Sequence, residues 1–302
     1  TSSTSRENSF AGTFDGNGKL ISNLYINISS EDNSNELLIG LFGVNYGKIK
    51  GLGLVNCSNS GTLSTTGNNT VLVAGVTGMN YGEINSSFVS GTLCSNGKNN
   101  AKSRSGGIAG SANNATIKNC YSMGNIKGIG NFVTCVGGIV GTTQEGLKIE
   151  NCYNVASLTV DTTNGTQSIG GIVGHAIGII INNTYNIEEL NLQGSATDTY
   201  AGGIVGYNHG GNINNCHNRG EINENTITTG AFYIGQIASN NVNGVIKNSY
   251  YLVSEKYDGV GINGGTNESI EIQNESQMPN ILDVIGNSFK DASLRYPVLN
   301  WQ

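Results

Sequence analysis

The sequence predicts an all-β fold: a single-stranded parallel β-helix of about eight coils, with three short strands to each coil. Three observations carry that expectation. A Gly-Ile-Val-Gly type block begins at residues 40, 75, 107, 138, 171, 203 and 235, a period of about 32 residues. An Ile-x-Asn-Cys-Tyr type block follows the Gly block in each unit. The composition agrees: 45 of 302 residues are Gly, 2 are Pro and 12% are charged. Such a chain is poor in helix formers, too low in Pro for collagen and too weakly charged for an acidic or basic disordered tail.

The Gly block is clearest in Gly107-Ile108-Ala109-Gly110, Gly138-Ile139-Val140-Gly141, Gly171-Ile172-Val173-Gly174 and Gly203-Ile204-Val205-Gly206. Gly40-Leu41-Phe42-Gly43, Gly75-Val76-Thr77-Gly78 and Gly235-Gln236-Ile237-Ala238 are looser copies. The second block reads Ile117-Lys118-Asn119-Cys120-Tyr121, with relatives opening at Ile149, Ile181, Ile213 and Ile246. Ile21-Ser22-Asn23-Leu24-Tyr25 fits the same mould, Ile84 opens a weaker copy, and Ile49 opens one with Gly51 in place of Asn. A third block recurs at Leu63, Leu93, Ile126, Leu158, Leu190 and Ile222. Each unit alone exposes its apolar face, and stacking units over residues 8–252 buries it. The coils are expected to be right-handed, by the general crossover preference.

Stacked coils turn each block position into a vertical column. Ile21, Ile49, Ile84, Ile117, Ile149, Ile181, Ile213 and Ile246 are expected to point inward, and their polar successors outward, with Lys118 and Glu150 as an exposed ion pair. Asn23, Asn119, Asn151, Asn183, Asn215 and Asn248 suit a left-handed bend and an Asn ladder of stacked amides. Cys120, Cys152 and Cys216 share a small-residue column, where in-register stacking favours buried free thiols over a Cys120–Cys152 bridge. The aromatic column of Tyr25, Phe88, Tyr121, Tyr153, Tyr185, His217 and Tyr250 is either a sugar-stacking surface or ordinary packing. Tyr121, Tyr153, Tyr185 and His217 are therefore the candidate binding residues.

Catalytic motifs are missing. His175, His209 and His217 lie outside any zinc or triad pattern, and the Gly blocks lack the lysine of a phosphate loop. No catalytic residue, metal site or cofactor is expected. Glu189 with Glu221, and Asp161 with Asp198, occupy corresponding places in successive units, as the paired carboxylates of a carbohydrate-cleaving β-helix would. Asp15-Gly16-Asn17-Gly18 reads as a tight turn before it reads as a cation loop. The net charge of −6 and the absence of a basic patch argue against nucleic acid. No apolar run approaches the ~20 residues of a membrane span. The chain opens Thr1-Ser2-Ser3 without an apolar leader, and is expected to be a piece of a larger multidomain protein. Residues 253–302 break the repeat and are expected to form a C-terminal cap, with a short helix over Glu275–Gly286 and with Tyr296 and Trp301 packing on the last coil.

The run Phe10-Ala11-Gly12-Thr13-Phe14-Asp15-Gly16-Asn17-Gly18, then Ile21-Ser22-Asn23-Leu24-Tyr25-Ile26, then Gly40-Leu41-Phe42-Gly43, resembles the GLUG-motif repeat family, and the resemblance extends over about 8–252. The closing Arg295-Tyr296-Pro297-Val298-Leu299-Asn300-Trp301 resembles the end of such arrays. The resemblance implies a bacterial, extracellular or cell-surface protein, many of whose relatives are adhesins, and a host glycan or protein as partner. Some relatives are non-catalytic parts of IgA-specific metallopeptidases, whose zinc motif does not occur here. A non-enzymatic adhesion or stalk module is the function this implies. A carbohydrate-active β-helix, or an accessory domain of a host-protein-cleaving peptidase, are the alternatives.

Overall fold

The structure is a computed structural model that describes residues 9–31, 36–227, 230–274 and 277, and the strand pair Phe289–Lys290 with Val298–Leu299. The described chain winds as a parallel β-solenoid. A seven-stranded parallel sheet runs from Leu37–Ile39 through Thr70–Val73, Lys102–Gly106, Val133–Gly137, Thr166–Gly170 and Asp198–Gly202 to Ala231–Gly235. A second sheet of 23 short strands wraps the remaining faces. Seven strands in the first sheet make about seven turns, where the repeat count gave eight. The eighth is incomplete: Ala238–Leu252 and Val260–Ile272 extend the larger sheet without a described strand in the smaller one. Parallel pairing therefore continues past residue 252 to Ile272. Apart from Gln277, the stretch expected to be helical at 275–286 lies outside the described residues, as do Tyr296 and Trp301. Among the described residues, no helix is long and apolar enough to cross a membrane.

The isoleucine column organises the core. Ile49, Ile84, Ile117, Ile149, Ile181, Ile213 and Ile246 face one another in register and are fully buried. Each stabilises the stack by roughly 1.5–3 kcal/mol. The Gly blocks supply a second column, Val76, Ile108, Ile139, Ile172, Ile204 and Ile237, also fully buried. Backbone N–H groups join it from coil to coil, Ile108 to Ile139 and Ile172 to Ile204 among them.

The first coil departs from the expected register. Phe14, not Ile21, lies opposite Ile49, and Ile21 lies opposite Leu54. The cause is a second corner. Asn17 and Gly18 turn at φ 49° and 68°, and Asn23 turns again at φ 60° beside Asn56, which donates to it at 2.6 Å. The Ile-x-Asn-x-Tyr string therefore recurs at the wrong corner. It carries Tyr25 opposite Ser58, 70% exposed and outside the aromatic column. Leu63 likewise falls opposite Gly97, leaving Asn59 opposite Leu93.

Two long runs of amides follow the axis, beside a shorter one from Asn208 to Asn241 to Asn263. At the outer corner, Asn119, Asn151, Asn183, Asn215 and Asn248 all have φ between 45° and 53°. Each of the last four donates its Nδ2 to the Oδ1 one coil before, at 3.1–3.3 Å. Gly51 takes the Asn place in its unit at φ 60°, because glycine meets the same backbone requirement without a Cβ penalty. The second run is buried. Ser122 Oγ donates to Asn154 Oδ1 at 2.8 Å, Asn154 to Asn186 at 2.8 Å, Asn186 to Asn218 at 2.9 Å and Asn218 to Gln236 Oε1 at 3.0 Å.

This buried run explains the double glycine. A Cβ on Gly138 would lie 2.4 Å from Asn154 Cγ, and one on Gly171 would lie 2.6 Å from Asn186 Cβ. Gln236 breaks the rule for a reason. Gly235 pairs with Gly202, so Gln236 stands where Gly203 stands one coil earlier. In the next rung Tyr251 faces Asn218 and offers no amide, so the Gln236 side chain supplies the terminal acceptor. Outside, Lys118 reaches back to Glu83 at 2.9 Å instead of pairing with Glu150, an exposed contact worth at most ~1 kcal/mol.

Two substitutions separate backbone from side-chain roles. Asn186→Ala cuts the buried run at its centre and is expected to cost about 2–4 kcal/mol in urea unfolding. Asn183→Gly keeps the left-handed corner and is expected to cost less than about 1 kcal/mol.

Candidate functional site

The aromatic column is real but closed. Phe88, Tyr121, Tyr153, Tyr185, His217 and Tyr250 are register partners on successive coils. From Phe88 to His217 the ring centroids are 4.7–5.0 Å apart and the planes within 8°. Stacking occupies the faces that a sugar would need. Tyr185 and His217 are sealed at 1% and 0% exposure, and Tyr153 is buried. Val155, Ile187 and Leu252 pack along the same rings. Of the four nominated residues, only Tyr121 keeps part of its ring in solvent. Each stacked pair adds about 0.5–1.5 kcal/mol beyond its burial, so the column is a stabilising spine.

The nearest open space lies beside that spine, towards the C-terminal end. Ile187, Glu188, Glu189, Arg219, Glu221 and Leu252 line a cleft of about 300 Å³. Through Arg219, Glu221 and Leu252 it continues into a second hollow of about 280 Å³ that reaches Gln236, Lys256 and Tyr257. The carboxylates expected from the sequence therefore do stand on adjacent coils: the Leu190 N–H donates to the Glu221 carbonyl at 2.8 Å. Glu189 is engaged, accepting from Ser157 Oγ and Asn223 Nδ2, both at 3.2 Å. Lys256 pairs with Glu224 at 3.3 Å. Alternating charge in an open cleft suits reversible hydrogen bonding to a polar ligand. Asp161 and Asp198 do not form a second pair. Asp161 lies in the larger sheet, bound to Lys127 at 3.4 Å, and Asp198 in the smaller.

Most of the remaining reactive groups are buried or paired. All six cysteines are free thiols, and burial pushes five of them up, Cys216 to about 11. Cys152 rises well above the ordinary thiol range through burial and the neighbouring Cys120 thiol. Asp15 accepts from the Asn17 N–H at 2.9 Å and pairs with Lys50 at 2.8 Å, which holds its carboxyl below the usual range. His209 is exposed. His175 is half-buried and stacks on Tyr207 at 4.8 Å. Burial, then the Arg104 charge, then His209, lower its pKa to about 4. Among the described residues, no group of three or more His, Cys, Asp or Glu could hold a metal ion. Sequence reading passed over Tyr200 and Tyr233, although each stands two places before a glycine that ends a strand of the smaller sheet.

Two measurements check these environments. As pH falls below 6.5, the unfolded chain takes up a proton that folded His175 refuses until about pH 4, so stability is lost across that window. His175→Tyr, which copies the next coil, is expected to remove roughly 2 kcal/mol of the loss between pH 7 and pH 5 in urea titrations. With a thiol reagent at neutral pH, half-buried Cys94 is expected to react first and the other five only after denaturation.

Residues 197–223 match the family model for the GLUG motif. No curated protein matches the chain. A solved structure described as a "putative immunoglobulin A1 protease" from Bacteroides ovatus shares its fold, with a TM-score of 0.50 and 20% sequence identity over 96% of this chain and 77% of that one. The chain is a parallel β-solenoid that carries the GLUG motif.

Proposed function

We propose that the chain is a non-catalytic, extracellular module of a bacterial cell-surface or secreted protein. In this reading the solenoid holds a lateral surface away from the rest of the molecule and adheres to a host glycan or protein. One observation carries the reading: side chains with chemical potential are committed to neighbouring coils. The amides bond to amides, five thiols are buried, the aromatic spine stacks on itself, and Glu189 is held by Ser157 and Asn223. A repeat that spends its polar groups on its own axis is built for length and stiffness.

The description of the structural neighbour favours one specific form of this reading, an accessory module of a protease that cleaves a host protein. Its place would be to hold the substrate while a separate domain cuts. The test is to incubate the purified chain with immunoglobulin A1 and with a glycan array, reading both retention and cleavage. Retention without fragments or new reducing ends is the expected result. Turnover that disappears in Glu221→Gln would overturn the non-enzymatic reading in favour of a carbohydrate-active β-helix. Retention of nothing on either panel would overturn the binding reading.

A further inference from the structure

A second lateral groove runs along the opposite side of the Gly-Gly bends. The chain reverses there so sharply that the outer faces of two strands look at each other. Ser168 Oγ, on the smaller sheet, donates across the gap to the Gly174 carbonyl at 2.6 Å. One wall is the register column Leu72, Arg104, Cys135, Ser168, Tyr200 and Tyr233. The facing wall is Met79, Ser111, Thr142, His175, Tyr207 and Asn240. Towards the N-terminal end the groove is filled by Leu38, Val44, Leu72 and Met79. In the middle the side chains become small, with Ser111, Cys135, Thr142 and Ser168 at its floor.

Arg104 stands over that floor, and among the described residues no carboxylate pairs with it. Its Nε is buried without a hydrogen-bond partner, as is Ser111 Oγ on the facing wall. No ion pair engages Arg104 or Lys102, two places before it on the same strand face, among the described residues, although the chain is net acidic. Glu36 lies within reach of Tyr81, and Asp198, two places before Tyr200 on the same strand, stands beside the tyrosines three coils from Arg104. A partly buried guanidinium whose Nε has lost water without gaining an acceptor is favoured by an anion that completes it. Further along, the walls turn aromatic. Tyr200 meets Tyr207 edge-on across the groove at 5.2 Å and 87°, and stacks on Tyr233 at 4.9 Å. All three tyrosines are half-exposed, unlike the sealed spine.

We propose that this groove binds an acidic oligosaccharide, with its carboxylate or sulfate at Arg104 and Lys102 and its sugar rings against Tyr200 and Tyr207. The two subsites lie three coils apart, about 14 Å along the axis, so an extended chain of several sugars spans both. Tyr233 and His175 each cover one ring face of this pair, and the exposed parts of Tyr200 and Tyr207, with their phenol hydroxyls, are left to offer a sugar apolar contact and hydrogen bonds. An acidic peptide would satisfy Arg104 but would leave the tyrosine subsite without its partner. The proposal rests on the reading of the chain as a binding module, and adds a ligand class and an address.

The test is calorimetry on the full chain with four probes: an oligogalacturonide, a chondroitin-sulfate hexasaccharide, neutral maltohexaose and a glutamate hexapeptide. At least one acidic saccharide is expected to bind, with maltohexaose and the peptide at least tenfold weaker. Arg104→Gln and Tyr207→Ala are each expected to weaken binding at least tenfold, and Arg104→Lys to restore part of it. Arg104→Ser, which copies the serine two coils on, serves if the Gln variant misfolds. In nuclear magnetic resonance, the bound anion is expected to raise the His175 titration midpoint, because it offsets the Arg104 charge; a purely structural arginine would not respond. Binding of no acidic saccharide overturns the proposal, as does equal binding of the glutamate peptide. Saccharide binding that survives both Arg104→Gln and Tyr207→Ala overturns the groove assignment while leaving the binding-module reading intact.

Discussion

Vertical registry is the constraint on which this molecule depends. Each coil presents to the next a copy of itself, so a side chain meets its own kind one turn away. For isoleucine this produces a continuous apolar column, sealed from water along its length. For asparagine it produces a directional run of amides, each both donor and acceptor. The buried run is the more demanding of the two. An amide in the interior is costly when either of its ends is left unsatisfied. The double glycine, the Ser122 donor at one end and the Gln236 acceptor at the other all follow from that requirement.

The same registry divides the surface by chemistry. Where a column carries large flat rings, as from Phe88 to His217, the rings satisfy one another and the column closes towards Tyr185 and His217. Where the column changes character from coil to coil, as along the second groove, the Arg104 charge finds no copy next door, although Tyr200 stacks on Tyr233 and His175 on Tyr207. Arg104 is followed by Cys135, and Tyr200 by Tyr233 only at the end of the smaller sheet. Irregular columns are therefore the places where a repeat protein of this kind retains unspent binding capacity.

Much of the architecture was legible in the sequence because one spacing recurs. The isoleucines, the corner asparagines after the first coil and the thiol column land where the period places them. The first coil did not, because Ile21-Ser22-Asn23 repeats the motif at a corner the other coils do not share. Gln236 read as an irregularity because its partner, Asn218, lies on another strand of the previous turn. The candidate site was the least legible part. Tyr121, Tyr153, Tyr185 and His217 drew notice because they repeat, and repetition is what buries them. Tyr200 and Tyr207 come from two strands that face each other only after the Gly-Gly reversal, so no single period contains them.

The most direct test is the distance between equivalent positions. Spin labels placed at Asn85 and, in turn, at Asn182, Asn214 or Lys247 sit on one outward-facing column, three, four and five coils apart. Registry predicts backbone separations of about 14, 19 and 24 Å, rising by ~4.8 Å per coil. Distances that fail to rise in equal steps with coil number would contradict it.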